Sequence, residues 1–273
     1  MWNDDFLTQE EIELSRTFER EGFVIAPVSD LELFEQIQRE VALKAAALID
    51  VPIVESESFL NGFHELVQVK NLNDLRVEII RQINSEPWFR SAYFKLARPI
   101  LEVLVGNELA MQQRVNLSIQ LPNEDGSLLP VHSDVWSGDS PYEVVVWLPL
   151  VECFKTKSMY LLPPKASADL HEEFAAHAQG SSEDLFQSIE KEITWIRVNS
   201  GEVMVFNQNL PHGNRVNEEV ETRWSMNCRF KSIFTPYGDK KLGEFFEPIT
   251  LRSASRIGMN YRFPKLESDE AYE

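Results

Sequence analysis

The chain has 273 residues, with 26 Lys plus Arg against 44 Asp plus Glu and a formal net charge of −18. Hydrophobic residues make up 43% and charged residues 26%, a globular composition that excludes a disordered or fibrous chain. That charge disfavours nucleic acid and anionic lipid as partners, and no run of about 18 apolar residues offers itself to a bilayer. Met1 to Asp5 shows no basic-then-apolar signal pattern, and Cys153 and Cys228 are too few for a disulfide framework. Cytoplasmic residence with reduced thiols is the expectation.

The first third reads as helical. Thr8 to Glu11 and Ser29 to Glu32 have the form of capping boxes, and Phe34, Ile37, Val41 and Leu48 keep roughly to one helical face through Asp50. Between these helices Gly22–Pro27 is a short apolar run that predicts one strand. Leu72, Leu75, Ile79 and Ile83 mark a third helix, and a further helical stretch runs from Pro87 to near Gly106. From about Leu109 the pattern changes to short β-rich runs at Met111–Leu121, Glu143–Leu150, Met159–Leu162, Ile193–Val198, Glu202–Phe206 and Arg223–Ile233. Strands in this sequence, without alternating helices, predict a sandwich or barrel rather than a parallel α/β sheet. The polar segment Ala166–Lys191 reads as a helical insert, and Glu267–Glu273 as a frayed acidic tail. A single domain over 1–273 is expected: helical support over 1–108, the strand-rich core over 109–235 and a C-terminal extension over 236–273.

Histidine is scarce, at five residues, so its placement is informative. His132 and Asp134 lie two apart where a strand ends, and residues i and i+2 of an extended chain point to one side. Five His and 12 Asp would produce about 0.2 such pairs by chance, so the pair alone is a weak signal. His212 follows the strand Glu202–Phe206; two His and one carboxylate with open positions make the facial triad of non-haem Fe(II) sites. Arg223, Ser225, Asn227 and Arg229 alternate along one run and so share a face, and a face with two Arg must meet anions or water. A guanidinium grips a carboxylate in bidentate fashion.

Taken in order, His132-Ser133-Asp134, the strand Glu143–Leu150, Ser158–Pro163, Gly201–Phe206, His212-Gly213 and Arg223 resemble the 2-oxoglutarate/Fe(II) oxygenases of the phytanoyl-CoA-hydroxylase-like superfamily. The resemblance runs from Gly22 to about Phe234. Within it, His132–Pro164 is similar to the "sporadic carbohydrate cluster" oxygenases of bacterial polysaccharide biosynthesis. The resemblance implies a mostly β fold with N-terminal helices around a double-stranded β-helix (jelly roll) core. It implies Fe(II) held by His132, Asp134 and His212, and 2-oxoglutarate and O2 as cosubstrates. Arg223 would grip the distal carboxylate of 2-oxoglutarate, with Arg229 the alternative six residues on. Related halogenases lack the carboxylate ligand, so Asp134 points to hydroxylation or another C–H oxidation of a small molecule, with desaturation and epimerisation left open and a carbohydrate or activated sugar the implied substrate.

The remaining candidates are weaker. Trp136, Ser137, Asp139 and Tyr142 follow the H-x-D pair and suit a sugar, although Trp136 is equally a packing residue and Asp139 a turn former. Asn116 and Ser118, on a polar face with Arg114 and Gln120, are cosubstrate or substrate candidates if that face meets a cavity. Lys155, Lys157 and Lys165 suit a phosphate or plain solvent exposure. Trp147 reads as core; His64, His171 and His177 read as surface or structural. Two rival readings remain: a cupin-like sugar isomerase using a metal without 2-oxoglutarate, and a non-catalytic carbohydrate-binding jelly roll. The sequence leaves homo-oligomerisation open.

Overall fold

A computed structural model describes residues 4–172 and 180–264; His177 and the acidic tail lie outside the described residues. Helix α1 (Gln9–Glu21) starts at the expected capping box, with Thr8 Oγ1 accepting from Glu11 N–H and Thr8 N–H donating to Glu11 Oε2. Strand β1 (Phe23–Pro27) follows as expected.

Helix α2 (Leu31–Leu48) begins one residue later than the sequence suggests. Asp30 is the N-cap, accepting from Leu33 N–H at 2.9 Å. Ser29 instead donates its hydroxyl to Lys95 O at 2.6 Å. That carbonyl is free for a reason. Helix α5 (Phe89–Leu104) contains Pro99, which lacks the N–H that would bond Lys95 O one turn back. A mid-helix proline costs about 3 kcal/mol in isolation, and the Ser29 bond offsets part of it while tying α2 to α5. A short α3 (Ser56–Asn61), not expected from the sequence, and α4 (Val69–Asn84) complete the helical layer.

The larger sheet has the order β1-β7-β4-β9-β2-β10, with β3 also paired to β9, and all its pairs are antiparallel. Its strands are β1, β2 (Leu109–Gln112), β3 (Asn116–Gln120), β4 (Glu143–Pro149), β7 (Glu202–Asn207), β9 (Arg223–Ser232) and β10 (Phe246–Pro248). The smaller antiparallel sheet is β6 (Thr194–Trp195), β5 (Tyr160–Leu161) and β8 (His212–Gly213). The run expected as one strand over Met111–Leu121 is two strands. Both pair with β9, but Met111 faces Phe230 and Asn116 faces Asn227, so the register slips by two residues between them. A slip of two keeps every side chain on its face, whereas a slip of one would invert the strand. Asn84 of α4 covers the break, its amide exchanging hydrogen bonds with Val115 N–H and C=O at 2.9 Å each.

One continuous buried cluster joins Phe34, Ile37 and Val41 of α2, Ile79 and Ile83 of α4 and Tyr93 and Leu101 of α5 to Val146, Val205 and Phe230 of the sheet. Tyr93 donates to Val146 O at 2.9 Å, and Gln38 donates to Leu150 O at 2.7 Å, so the helices are bolted as well as packed. Helices thus cover one face of the large sheet and leave its other face to the cavity described below. The insert forms α6 (Pro164–Glu172) and α7 (Ser182–Ile189) among the described residues. The C-terminal extension is not an appendage: β10 adds to the sheet beside β2 before a final exposed helix α8 (Ser253–Asn260). No described helix is long and apolar enough to cross a membrane.

Candidate metal centre

His132, Asp134 and His212 converge, each offering a ligand atom within 4.8 Å of the others. They form the only such cluster among the described residues. The convergence is built by backbone pairing. His132 and His212 exchange N–H···O=C bonds at 3.0 and 2.8 Å, an antiparallel bridge that brings the two imidazole centroids to 4.3 Å with their planes tilted by 51°. Asn214 N–H to Leu129 O (3.0 Å) and Asp134 N–H to Gln208 O (3.2 Å) extend the pairing on either side, and the Ser133 hydroxyl donates to Asn209 O at 2.9 Å. Asp134 then opens a 3-10 turn to Ser137, which directs its carboxylate back towards the imidazoles. Beside His212, Gly213 is required by space: a Cβ there would meet Leu129 O and Tyr160 Oη at 2.7 Å each.

The imidazole tautomers follow from their partners. His132 Nδ1 lies 2.9 Å from Pro130 O and His212 Nδ1 lies 2.8 Å from Leu210 O. A carbonyl only accepts, so each Nδ1 carries the proton and each Nε2 presents a lone pair. His132 Nε2 lies 3.6 Å from Asp134 Oδ1. Burial and the neighbouring His132 push His212 down to a pKa of about 4, so it is neutral and ready to ligate at neutral pH. Two free imidazole nitrogens and one carboxylate suit a divalent transition metal with open positions.

These groups line a cavity of about 120 Å³ between the two sheets, whose floor is Ser118, Val145, Trp147, Phe206, Arg223, Ser225, Asn227 and Arg229. The polar face expected for β9 does meet a cavity rather than solvent. Trp147 is core, as expected, and also forms one wall. Arg223 is 5% exposed and donates to Ser158 O and to the Ser118 hydroxyl at 2.9 Å each. It pairs with no carboxylate among the described residues, and its Nε is buried without a hydrogen-bond partner. Burial lowers its pKa, the signature of a cation short of a counter-ion. Asn116 sits one step outside, bonded to Asn227 Oδ1 at 3.1 Å.

Arg229 is placed differently from Arg223. Its Nη2 pairs with Asp134 Oδ2 at 2.8 Å, and its Nε donates to Gln208 Oε1 at 3.0 Å and lies 3.3 Å from Asp139 Oδ2. It therefore already has its anions, which leaves Arg223 as the cation with donors to offer.

The residues after the H-x-D pair divide. Trp136 lies on the 3-10 turn, its ring edge-on to His171 of α6 at 6.4 Å. Ser137 is exposed on the same turn. Asp139 is neither an exposed turn former nor a free substrate ligand: its side chain is 1% exposed and holds Arg229 and Lys240. Tyr142 lines a separate depression with Phe18 and Leu104. Lys157, read as a phosphate ligand or exposed loop lysine, is fully buried and bonded to Asn61 and Glu221. Lys155 is exposed. His64 is structural, bonded to Thr222.

No protein-family model and no curated protein sequence matches the chain. Among solved structures it is similar to the non-heme monooxygenase ThoJ in a nickel complex, with 17% identity, 94% of this chain and 90% of that one covered, and a TM-score of 0.51. It is similar to HygX from Streptomyces hygroscopicus with nickel and 2-oxoglutarate bound, at 16% identity, 86% and 90% coverage and a TM-score of 0.52. EctD from S. alaskensis with 2-oxoglutarate and 5-hydroxyectoine gives 16% identity, 87% and 80% coverage and a TM-score of 0.54. At these identities the likeness is one of fold: the chain shares the backbone architecture of structures that hold nickel, iron or 2-oxoglutarate.

Proposed function

We propose that this chain is a single-domain Fe(II)- and 2-oxoglutarate-dependent oxygenase on a double-stranded β-helix, of the phytanoyl-CoA-hydroxylase-like group. The observation that carries the reading is Arg223: a buried guanidinium without a counter-ion, opening on the cavity that also holds the His132–Asp134–His212 cluster. A metal-binding jelly roll that uses no 2-oxoglutarate has no need of such a cation. Iron with 2-oxoglutarate and O2 supplies oxidation of a substrate C–H with release of succinate and CO2. In this reading His132 and His212 present Nε2 and Asp134 presents Oδ1 as ligands. Arg223 and Ser118 hold the distal carboxylate of the cosubstrate. Val145, Trp147, Met159 and Phe206 exclude water around it and strengthen the ion pair.

The substrate in this reading is a small molecule, a carbohydrate or activated sugar of surface polysaccharide biosynthesis, and its oxidation a hydroxylation. The resemblance of His132–Pro164 to the carbohydrate-cluster oxygenases supports it. The proposed setting is the cytoplasm.

Anaerobic titration of the protein with Fe(II) and 2-oxoglutarate tests the cofactor assignment. A visible charge-transfer band that needs both components, vanishes in His132→Ala and demands far more 2-oxoglutarate in Arg223→Ala is the expected result. Metal binding without a band at any 2-oxoglutarate concentration overturns the oxygenase reading and favours the isomerase. Absence of metal binding leaves a carbohydrate-binding module.

A further inference from the structure

Resting on the reading of Asp134 as a metal ligand, we propose that Arg229 is a positioning residue that restricts Asp134 to one coordinating oxygen and is itself held in place by the C-terminal extension through Lys240 and Asp139. A carboxylate has two oxygens and can take one or two positions on a metal. Here they are unequal. Oδ1 faces His132 Nε2 at 3.6 Å, whereas Oδ2 is paired with Arg229 Nη2 at 2.8 Å on the far side. A guanidinium on Oδ2 withholds it from a metal and fixes the plane of the carboxylate.

Arg229 lies on the same face of β9 as Arg223 and lines the same cavity, so it needs a reason not to serve as a second anion site. Gln208 Oε1 and Asp139 Oδ2 supply it by holding Nε from behind. Asp139 is in turn a buried carboxylate between two cations, with Lys240 Nζ at 2.6 Å from Oδ1 and 2.7 Å from Oδ2. Lys240 arrives from the extension, 101 residues further along the chain. The extension is seated against the turn after Asp134: Asp239 N–H donates to Gly138 O at 2.9 Å, and a Cβ on Gly238 would strike that same oxygen at 2.2 Å. The extension therefore closes a line of alternating charge, Lys240–Asp139–Arg229–Asp134, that ends on the metal ligand.

The test is titration of the full chain with Co(II) alone, reading affinity and the visible d–d spectrum in wild type, R229Q, R229K, D139N, K240Q and H132A. R229Q is expected to lose about 10–100-fold in Co(II) affinity, because Asp134 loses the partner that fixes its plane, and to change the band shape, because Oδ2 is released to reach the metal. R229K keeps the charge but not the fork, and recovers only part of both. K240Q and D139N are expected to show a smaller loss in the same direction. Wild-type affinity and spectrum in R229Q overturn the proposal; should R229Q not fold, the same outcome in both D139N and K240Q overturns it. Loss of Co(II) in H132A with wild-type behaviour in R229Q rejects the positioning role alone, whereas no Co(II) binding by wild type rejects the metal site as well.

Discussion

Acid should destabilise the metal-free protein through His212 in a way that can be isolated. Burial under Phe206 and beside His132 holds its pKa near 4, against 6.5 for an exposed imidazole. Between those values the unfolded chain binds the proton and the folded chain does not, so the unfolded state gains as the pH falls. The contribution is complete above pH 6.5 and is lost as the pH drops towards 4. A shift of this size corresponds to about 3 kcal/mol in full, and about 2.5 kcal/mol of it is lost between pH 7.5 and 4.5. Urea unfolding of wild type and His212→Gln at half-unit intervals over that range measures it. Other carboxylates titrate in both proteins, so the quantity of interest is the difference between their stability curves. The difference should decline steadily with acid. A difference that stays flat from pH 7.5 to 4.5 would refute the account of a neutral, desolvated His212.

Other perturbations have equally definite outcomes. Arg223→Lys retains a cation but not the fork between Ser158 O and Ser118, so half-saturation with 2-oxoglutarate should rise by about 10–100-fold; an unchanged value would remove Arg223 as the anchor. Gly213→Ala forces a methyl onto Leu129 O and Tyr160 Oη and should cost about 1–3 kcal/mol by urea unfolding, with a loss of metal affinity because His212 shares the strand. Cys153 and Cys228 are buried with thiols pushed up to about 12, so neither should react with a disulfide reagent at pH 8 until the protein unfolds. Rapid labelling of native protein would show that the core opens locally.

Much of the site is legible in the sequence because its chemistry is local. His132 and Asp134 are separated by one residue, His212 is one of only five histidines, and the alternation of Arg223, Ser225 and Asn227 reads directly as a face. What the sequence hides is what the opposing residue will be. Arg223 and Arg229 share one face of β9, and the resemblance merely ranks Arg223 first; the placement of Asp134 and Asp139 on one side and Ser118 on the other gives the physical difference between them. Asp139 reads as a substrate ligand or a turn residue because its partner Lys240 lies in a segment that shows no periodic pattern. The N-cap of α2 is hidden in the same way: Ser29 and Asp30 are both good caps, and Ser29 is drawn off by the carbonyl that Pro99 leaves open in another helix. The β2–β3 break depends on Asn84, which substitutes for a strand from within α4. Local polar pattern thus locates the reactive groups, and tertiary partners decide their roles.

The most direct test of the account is crystallography of the protein soaked anaerobically with Fe(II) and 2-oxoglutarate, with anomalous data collected at the iron edge. The account predicts one strong anomalous peak within bonding distance of His132 Nε2, His212 Nε2 and Asp134 Oδ1. It also predicts a 2-oxoglutarate molecule bridging that peak and the Arg223 guanidinium. An iron peak elsewhere, or 2-oxoglutarate bound away from Arg223, would contradict it.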